Sequence, residues 1–248
     1  MDSTIVFLKM TNKIVICIPI LSNRKKIADA LLDKYGTNYL FMGTTFQETN
    51  TNKSCQIIVE NKVDKLYLAE KFRLAGQNKI SDTTLEKISH YQQIIYLISD
   101  DTSYGACLKM ARFTKVLLDI GGIAVKIETA GIAYEADKWS RYNCQDVFDI
   151  YSLFVGLVEG EDSYYSCGMH NFGKADVAVE ISEDIGLAIY VMNVFNYYRL
   201  TESPILQDGH TFQPDIECPK YKMKLIEDDE YDTELLFNPF GKWYLSRY

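Results

Sequence analysis

Apolar and polar positions alternate along this chain in blocks that predict a regular succession of strands and helices. Residues 13–20 form a continuous apolar run rich in β-branched side chains, the pattern of a strand buried on both faces. Ser22 is placed to cap a helix reaching about Lys34, and Gly36 ends it. Residues 55–60 read as a strand. Residues 63–74 fit strand or helix equally, and 82–88 fit a short helix. Residues 92–99 predict another buried strand, and 100–104 supply capping residues. From there to Asp119, Cys107, Met110, Ala111, Thr114, Leu117 and Leu118 fall on one helical face, with Lys109, Arg112 and Asp119 on another. Gly121-Gly122 stops that helix, and a strand over 123–128 follows.

The second half continues in the same manner. Residues 147–158 predict an internal helix. Residues 164–169 and 175–181 read as two strands around a turn at Asn171–Gly173. Ser182 is placed to cap a helix from Glu183 to about Leu200. This helix is apolar on most sides and is therefore expected to be largely buried. Residues 222–226 and 234–237 suggest a terminal strand pair around an acidic stretch. The sum is an α+β fold, a twisted mixed sheet with helices packed on it. It is expected to be a single compact unit over 1–248, with a possible subdivision into similar halves near 140–160.

Composition narrows the function classes. The chain has 248 residues and an ordinary globular content of 47% hydrophobic and 24% charged residues. Such a length can bury its own core without disulfide or metal staples. A net charge of −8 argues against binding to nucleic acid and to anionic membranes, and suits a basic partner. No apolar run is long enough to span a bilayer. The six cysteines contain no CxxC pair, which removes zinc-ribbon and thioredoxin readings. The first ten residues lack the pattern of a secretory leader, so a cytoplasmic location with reduced thiols is expected.

Candidate chemistry concentrates in Cys167-Gly168-Met169-His170-Asn171-Phe172-Gly173-Lys174-Ala175-Asp176 and in Asp208-Gly209-His210-Thr211. Cys167, His170, Asp176 and His210 offer sulfur, nitrogen and oxygen donors, but the usual second ligand pair of a zinc site is missing. A hydrolase could use Cys167 as nucleophile, His170 or His210 as base, and Asp208 or Asp176 as orienter. Against this, Cys167 precedes a glycine in a predicted strand, with no helix start beside it to lower its pKa. The glycines and Asp208-Gly209 also read simply as turn residues. We therefore expect neither cofactor nor metal, and no catalytic set.

A second feature is Glu227, Asp228, Asp229, Glu230, Tyr231, Asp232 and Glu234, an acidic stretch near the aromatic residues Phe237, Phe240, Trp243 and Tyr244. A solvated loop explains the charge. The sharper expectation is a partner-binding surface for a basic protein, with Tyr231 and Trp243 as aromatic anchors.

The order of motifs from His90 through Gly121-Gly122-Ile123-Ala124-Val125, Ala130-Gly131-Ile132-Ala133-Tyr134, Trp139, Gly168-Met169, Gly173 and Asp176 to Asp208-Gly209-His210-Thr211 resembles the bacterial family catalogued as domain of unknown function 4261. The resemblance covers roughly residues 85–212. It implies a bacterial, cytoplasmic α+β protein, and it brings no catalytic residues. Domains of this kind are often found near toxin genes and secretion systems such as type VI. That implies an immunity protein that neutralises a cognate toxin or secreted effector by direct binding. The alternatives are a hydrolase using Cys167, His170, Asp208 and His210, and a secretion-system adaptor or structural component.

Overall fold

The computed structural model describes residues 13–61, 65–228 and 235–248, with the side chains of 65 and 66 excepted. The fold is α+β and carries two sheets where the sequence pattern suggested one. The first sheet holds seven strands: β1 (Ile14–Ile20), β2 (Tyr39–Met42), β3 (Thr45–Glu48), β4 (Lys53–Asn61), β5 (Gln93–Ser99), β6 (Ala124–Ile127) and β7 (Ile132–Glu135). Their order is β2-β3-β4-β5-β1-β6-β7, and every pairing is antiparallel.

Strand β1 is central and all seven of its residues are buried. Its alternating side chains enter two different cores, as the two-residue period of a strand demands. Ile14, Ile16, Ile18 and Ile20 face helices α1 (Arg24–Tyr35) and α4 (Tyr104–Asp119). Cys17 faces helices α2 (Lys65–Ala75) and α3 (Asp82–Ser89). The continuous apolar run thus reflects a strand covered by helices on both sides. The predicted face of α4 is buried as expected, from Cys107 to Leu118. The ambiguous segment after residue 63 is helix α2 over its described part.

Chain reversal into the second sheet runs through the short helix α5 (Ala136–Ser140) and helix α6 (Val147–Phe154). Residues 147–158 are thus not one helix. Val155 closes α6 in extended conformation, and Gly156–Glu159 is strand β8. The second sheet adds β9 (Ser163–Cys167), β10 (Asp176–Glu180), β11 (Thr211–Phe212), β12 (Tyr221–Ile226) and β13 (Lys242–Arg247), in the order β11-β12-β13-β10-β9-β8. Among its described strands only β10 and β13 pair in parallel. The terminal pair expected around the acidic stretch is corrected here. Strand β12 pairs with β13 at 242–247, while 235 and 236 form a turn.

Helix α7 (Ile185–Thr201) lies on this sheet. Its N-cap is Asp184, whose carboxylate accepts from the Leu187 amide at 3.0 Å, so the helix starts two residues later than the sequence suggested. Glu183 is thereby released to bind Tyr221 and Arg247. Ala188, Val191, Met192 and Phe195 pack against Val177, Val179, Tyr221, Met223, Trp243 and Leu245. The start of α1 is similarly displaced: Asn23, not Ser22, accepts from the Lys26 amide. Among the described residues no helix is long and apolar enough to cross a membrane.

Candidate functional site

The Cys167–Asp176 segment is a hairpin whose turn is a single helical 3-10 loop over Met169–Phe172. Two glycines make that loop possible. Gly168 has φ +123°, and a Cβ there would lie 2.2 Å from the Phe154 carbonyl oxygen. Gly173 has φ +68°, and its Cβ would lie 2.8 Å from the Thr102 carbonyl oxygen. The turn is thus driven between the end of α6 and the loop before α4. Asn171, fully buried, completes the seam. Its amide donates to the Phe154 carbonyl at 3.3 Å, its side-chain oxygen accepts from Thr129 Oγ1 at 2.7 Å, and its backbone carbonyl accepts from Cys107 Sγ.

Behind the turn lies a buried charged cluster. Asp176 is 3% exposed. Its carboxylate accepts from Ser166 Oγ at 2.8 Å, from the Met169 amide at 3.1 Å, and from Asn238 Nδ2. Burial pushes its carboxyl up to about 6, and those three hydrogen bonds hold it from rising further. Arg199 of α7 donates to the Ala175 carbonyl at 2.8 Å and to Asn196 Oδ1, and its guanidinium lies 4.7 Å from the Phe195 ring centre. Burial lowers it to about 10, against the attraction of Asp176 and the Tyr151 hydroxyl. Asn196 donates onward to the Tyr151 hydroxyl, which donates to Asn193. On the neighbouring strand Lys242 stands opposite Asp176 and pairs with Asp228 at 3.4 Å, both side chains 4% exposed.

His170 sits in the same turn, 2% exposed. Among the described residues neither ring nitrogen completes a hydrogen bond of good geometry, although backbone groups of Leu235 and Thr129 lie close. Burial lowers its pKa to about 4, outweighing the pull of Asp228 toward the charged form. The ring is neutral at physiological pH.

The hydrolase residues are divided between two places. Cys167 and His170 lie at the buried hairpin end. Asp208 and His210 lie in an exposed loop at the other edge of the sheet, where Asp208 accepts from the Leu225 amide at 2.8 Å. Strand β9, which carries Cys167, is three positions from β12 in the sheet order, about 14 Å at the usual strand spacing. Direct proton transfer requires contact within about 3 Å, so these four residues do not form one constellation as placed. Among the described residues no group of three or more His, Cys, Asp or Glu is positioned to hold a metal.

Three of the expected partner-binding residues are described, and they do not share one exposed surface. Glu227 is exposed. Asp228 turns inward to Lys242 and also accepts from the Asn238 amide at 2.8 Å. Asp229, Glu230, Tyr231, Asp232 and Glu234 lie outside the described residues. Trp243 is only 9% exposed and fills the core under α7.

A different surface stands out, one the sequence pattern pointed away from. Helix α7 is covered by the sheet on one side only. Its opposite side presents Ile185, Ile189, Tyr190 and Tyr197, joined by Phe148 of α6, each 40–51% exposed. Phe148 and Tyr197 are in ring contact at 6.3 Å. Together with Asp146, Gly186, Asn193 and Val194 most of these side chains line an open groove of about 540 Å³. The expectation that α7 is largely buried is corrected: among the described residues no second layer covers its apolar outer face. Past Ile189 lies a cleft of about 360 Å³ between β7, β8 and the α2–α3 loop. Its Glu135 carboxylate is taken up by Ser81 at the N-terminus of α3.

No protein-family model matches the chain, and neither a curated protein nor a solved structure shows significant similarity to it.

Proposed function

We propose that this chain is a bacterial cytoplasmic binding protein that neutralises a cognate toxin or secreted effector by direct protein–protein contact. The observation that carries this reading is the apolar, aromatic outer face of α7 on a molecule of net charge −8. Its five large side chains expose roughly 400–500 Å² of surface, at the upper end of the patches that monomeric proteins leave uncovered and that mark interaction sites. Tyr and Phe are the residues that anchor interfaces. The acidic surface adds attraction for a basic protein and repulsion for nucleic acid. The motif order that resembles domain of unknown function 4261 supports the same assignment by association with toxin genes.

The test is to purify the chain with the toxin encoded beside its gene and measure binding by gel filtration and calorimetry, and toxin activity with and without the chain. A stable complex with loss of toxin activity is expected. Absence of a complex at micromolar concentrations overturns the proposal.

A further inference from the structure

We infer that the outer face of α7, with Phe148 of α6, is a docking groove for a basic amphipathic helix of a partner protein. This deepens the binding reading above and rests on it for the identity of the natural partner. Ile185, Ile189, Asn193 and Tyr197 recur every four residues and form one ridge along α7. From Ile185 to Tyr197 the ridge runs about 18 Å, or three helical turns. Phe148 and Tyr190 line the groove beside it. A ridge of this spacing beside a groove accepts a second helix by ridge-into-groove packing.

Charge decides what kind of helix. Three exposed carboxylates rim the face: Asp146 at the start of α6, Asp184 at the start of α7, and Asp215, which accepts from the Tyr190 hydroxyl at 3.0 Å. Among the described residues none of the three is ion-paired. Asp146 and Asp184 are the caps of their helices, so their charge is fixed in place by backbone amides. A second copy of this chain would bring the same carboxylates against themselves, on a molecule already carrying −8. A helix with a Leu-type apolar stripe and flanking Lys or Arg satisfies both the apolar ridge and the rim.

The experiment uses the full chain and two labelled synthetic helices of about 18 residues, one patterned from Leu and Lys and one with the same pattern in Leu and Glu. Fluorescence anisotropy is expected to show saturable binding of the Leu–Lys helix only, weakening as salt is raised. The pair Ile189→Ser and Tyr197→Ser is expected to weaken it by about tenfold or more, as is Tyr190→Ser combined with Ile185→Ser. These positions are exposed, so the variants keep the circular dichroism spectrum of the parent. Asp146→Asn with Asp184→Asn keeps both helix caps and is expected to flatten the salt dependence. Glu227→Gln, on the other acidic segment, is expected to change nothing.

Equal binding of the Leu–Glu helix, binding indifferent to both apolar pairs, or no saturable binding overturns the inference. So does a reversible dimer in sedimentation that the apolar variants abolish, since a second copy would then cover the face. The two proposals separate cleanly. A Leu–Lys helix that binds while the toxin does not overturns neutralisation alone. A toxin complex untouched by these variants overturns the groove alone.

Discussion

Replacing glycines in the buried hairpin by alanine should be far more damaging than the same change in an exposed turn, and the structure gives the scale. Gly209, in the exposed loop after Asp208, has φ +84° and open space where a Cβ would go. Alanine there carries only the backbone strain of a positive φ, about 1 kcal/mol. Gly173→Ala adds a contact of 2.8 Å to a carbonyl oxygen that belongs to backbone. Gly168→Ala adds one of 2.2 Å, and Ala130 Cβ is a further neighbour at 3.0 Å. Relief requires the end of α6 to move by roughly an ångström, an overpacking penalty of about 1–3 kcal/mol or more on top of the strain. The expected order of destabilisation is Gly209 about 1, Gly173 about 2–3, and Gly168 at least about 4 kcal/mol.

The two tryptophans make the measurement specific, because one sits in each core: Trp139 beneath the first sheet and Trp243 beneath α7. Urea unfolding is followed by fluorescence in Trp139→Phe and Trp243→Phe backgrounds. The Gly168–Gly173 turn touches α4, α6 and the β6–β7 turn as well as its own sheet, so Gly168→Ala should shift both transitions to lower urea. A loss below about 1 kcal/mol for Gly168→Ala, or a shift of the Trp243 transition with the Trp139 transition unmoved, would refute the claim that this turn is the seam between the two sheets.

Three further outcomes follow from the buried charges and thiols. His170 has a folded pKa near 4 against 6.5 when unfolded, so the unfolded chain binds the extra proton. Its contribution is complete above about pH 6.5 and is lost as pH falls toward 4, up to about 3 kcal/mol, and His170→Gln should flatten that limb of a pH–stability curve. Asp228→Asn should cost about 3 kcal/mol in urea unfolding by removing the carboxylate that Lys242 meets at 3.4 Å, and Lys242→Met should cost less in the Asp228→Asn background than in the parent; equal costs in both backgrounds would show that the pair is not coupled. In the native protein iodoacetamide should label the half-exposed Cys144 and Cys218 well before Cys17 and Cys107, whose thiols burial pushes up, and before Cys167; preferential labelling of Cys167 near neutral pH would instead favour the hydrolase alternative.

Local pattern carried much of the fold. The apolar run of β1, the one-sided face of α4 and the glycine stop after it were all legible, because each depends on residues near in sequence and on a period of two or 3.6. What was not legible depended on partners far away. A helix over 147–158 and a helix ending at Phe154 followed by a strand have the same apolar content. Tertiary pairing of Gly156–Glu159 with Ser163–Cys167 decides between them. The partner of β12 lies beyond an acidic interval, and the parallel pairing of Asp176 with Lys242 spans more than sixty residues that no local signal connects.

The site was legible in a more misleading way. His170, Asn171 and Asp176 attract attention as reactive residues because polar side chains so close together are unusual. In the structure most of their polar atoms are directed into the protein: Asn171 to Phe154 and Thr129, Asp176 to Ser166, Met169 and Asn238. Buried polar groups demand such partners, so a dense polar motif can mark a seam as readily as a reaction centre. The reverse holds for α7. Its sequence is apolar all round, which by itself means only that both faces avoid water. The sheet covers one face, and among the described residues the side carrying Ile185, Ile189, Tyr190 and Tyr197 has no second cover. Polarity drew the eye to residues whose partners are internal, whereas the surface proposed to receive a partner is written in ordinary core residues.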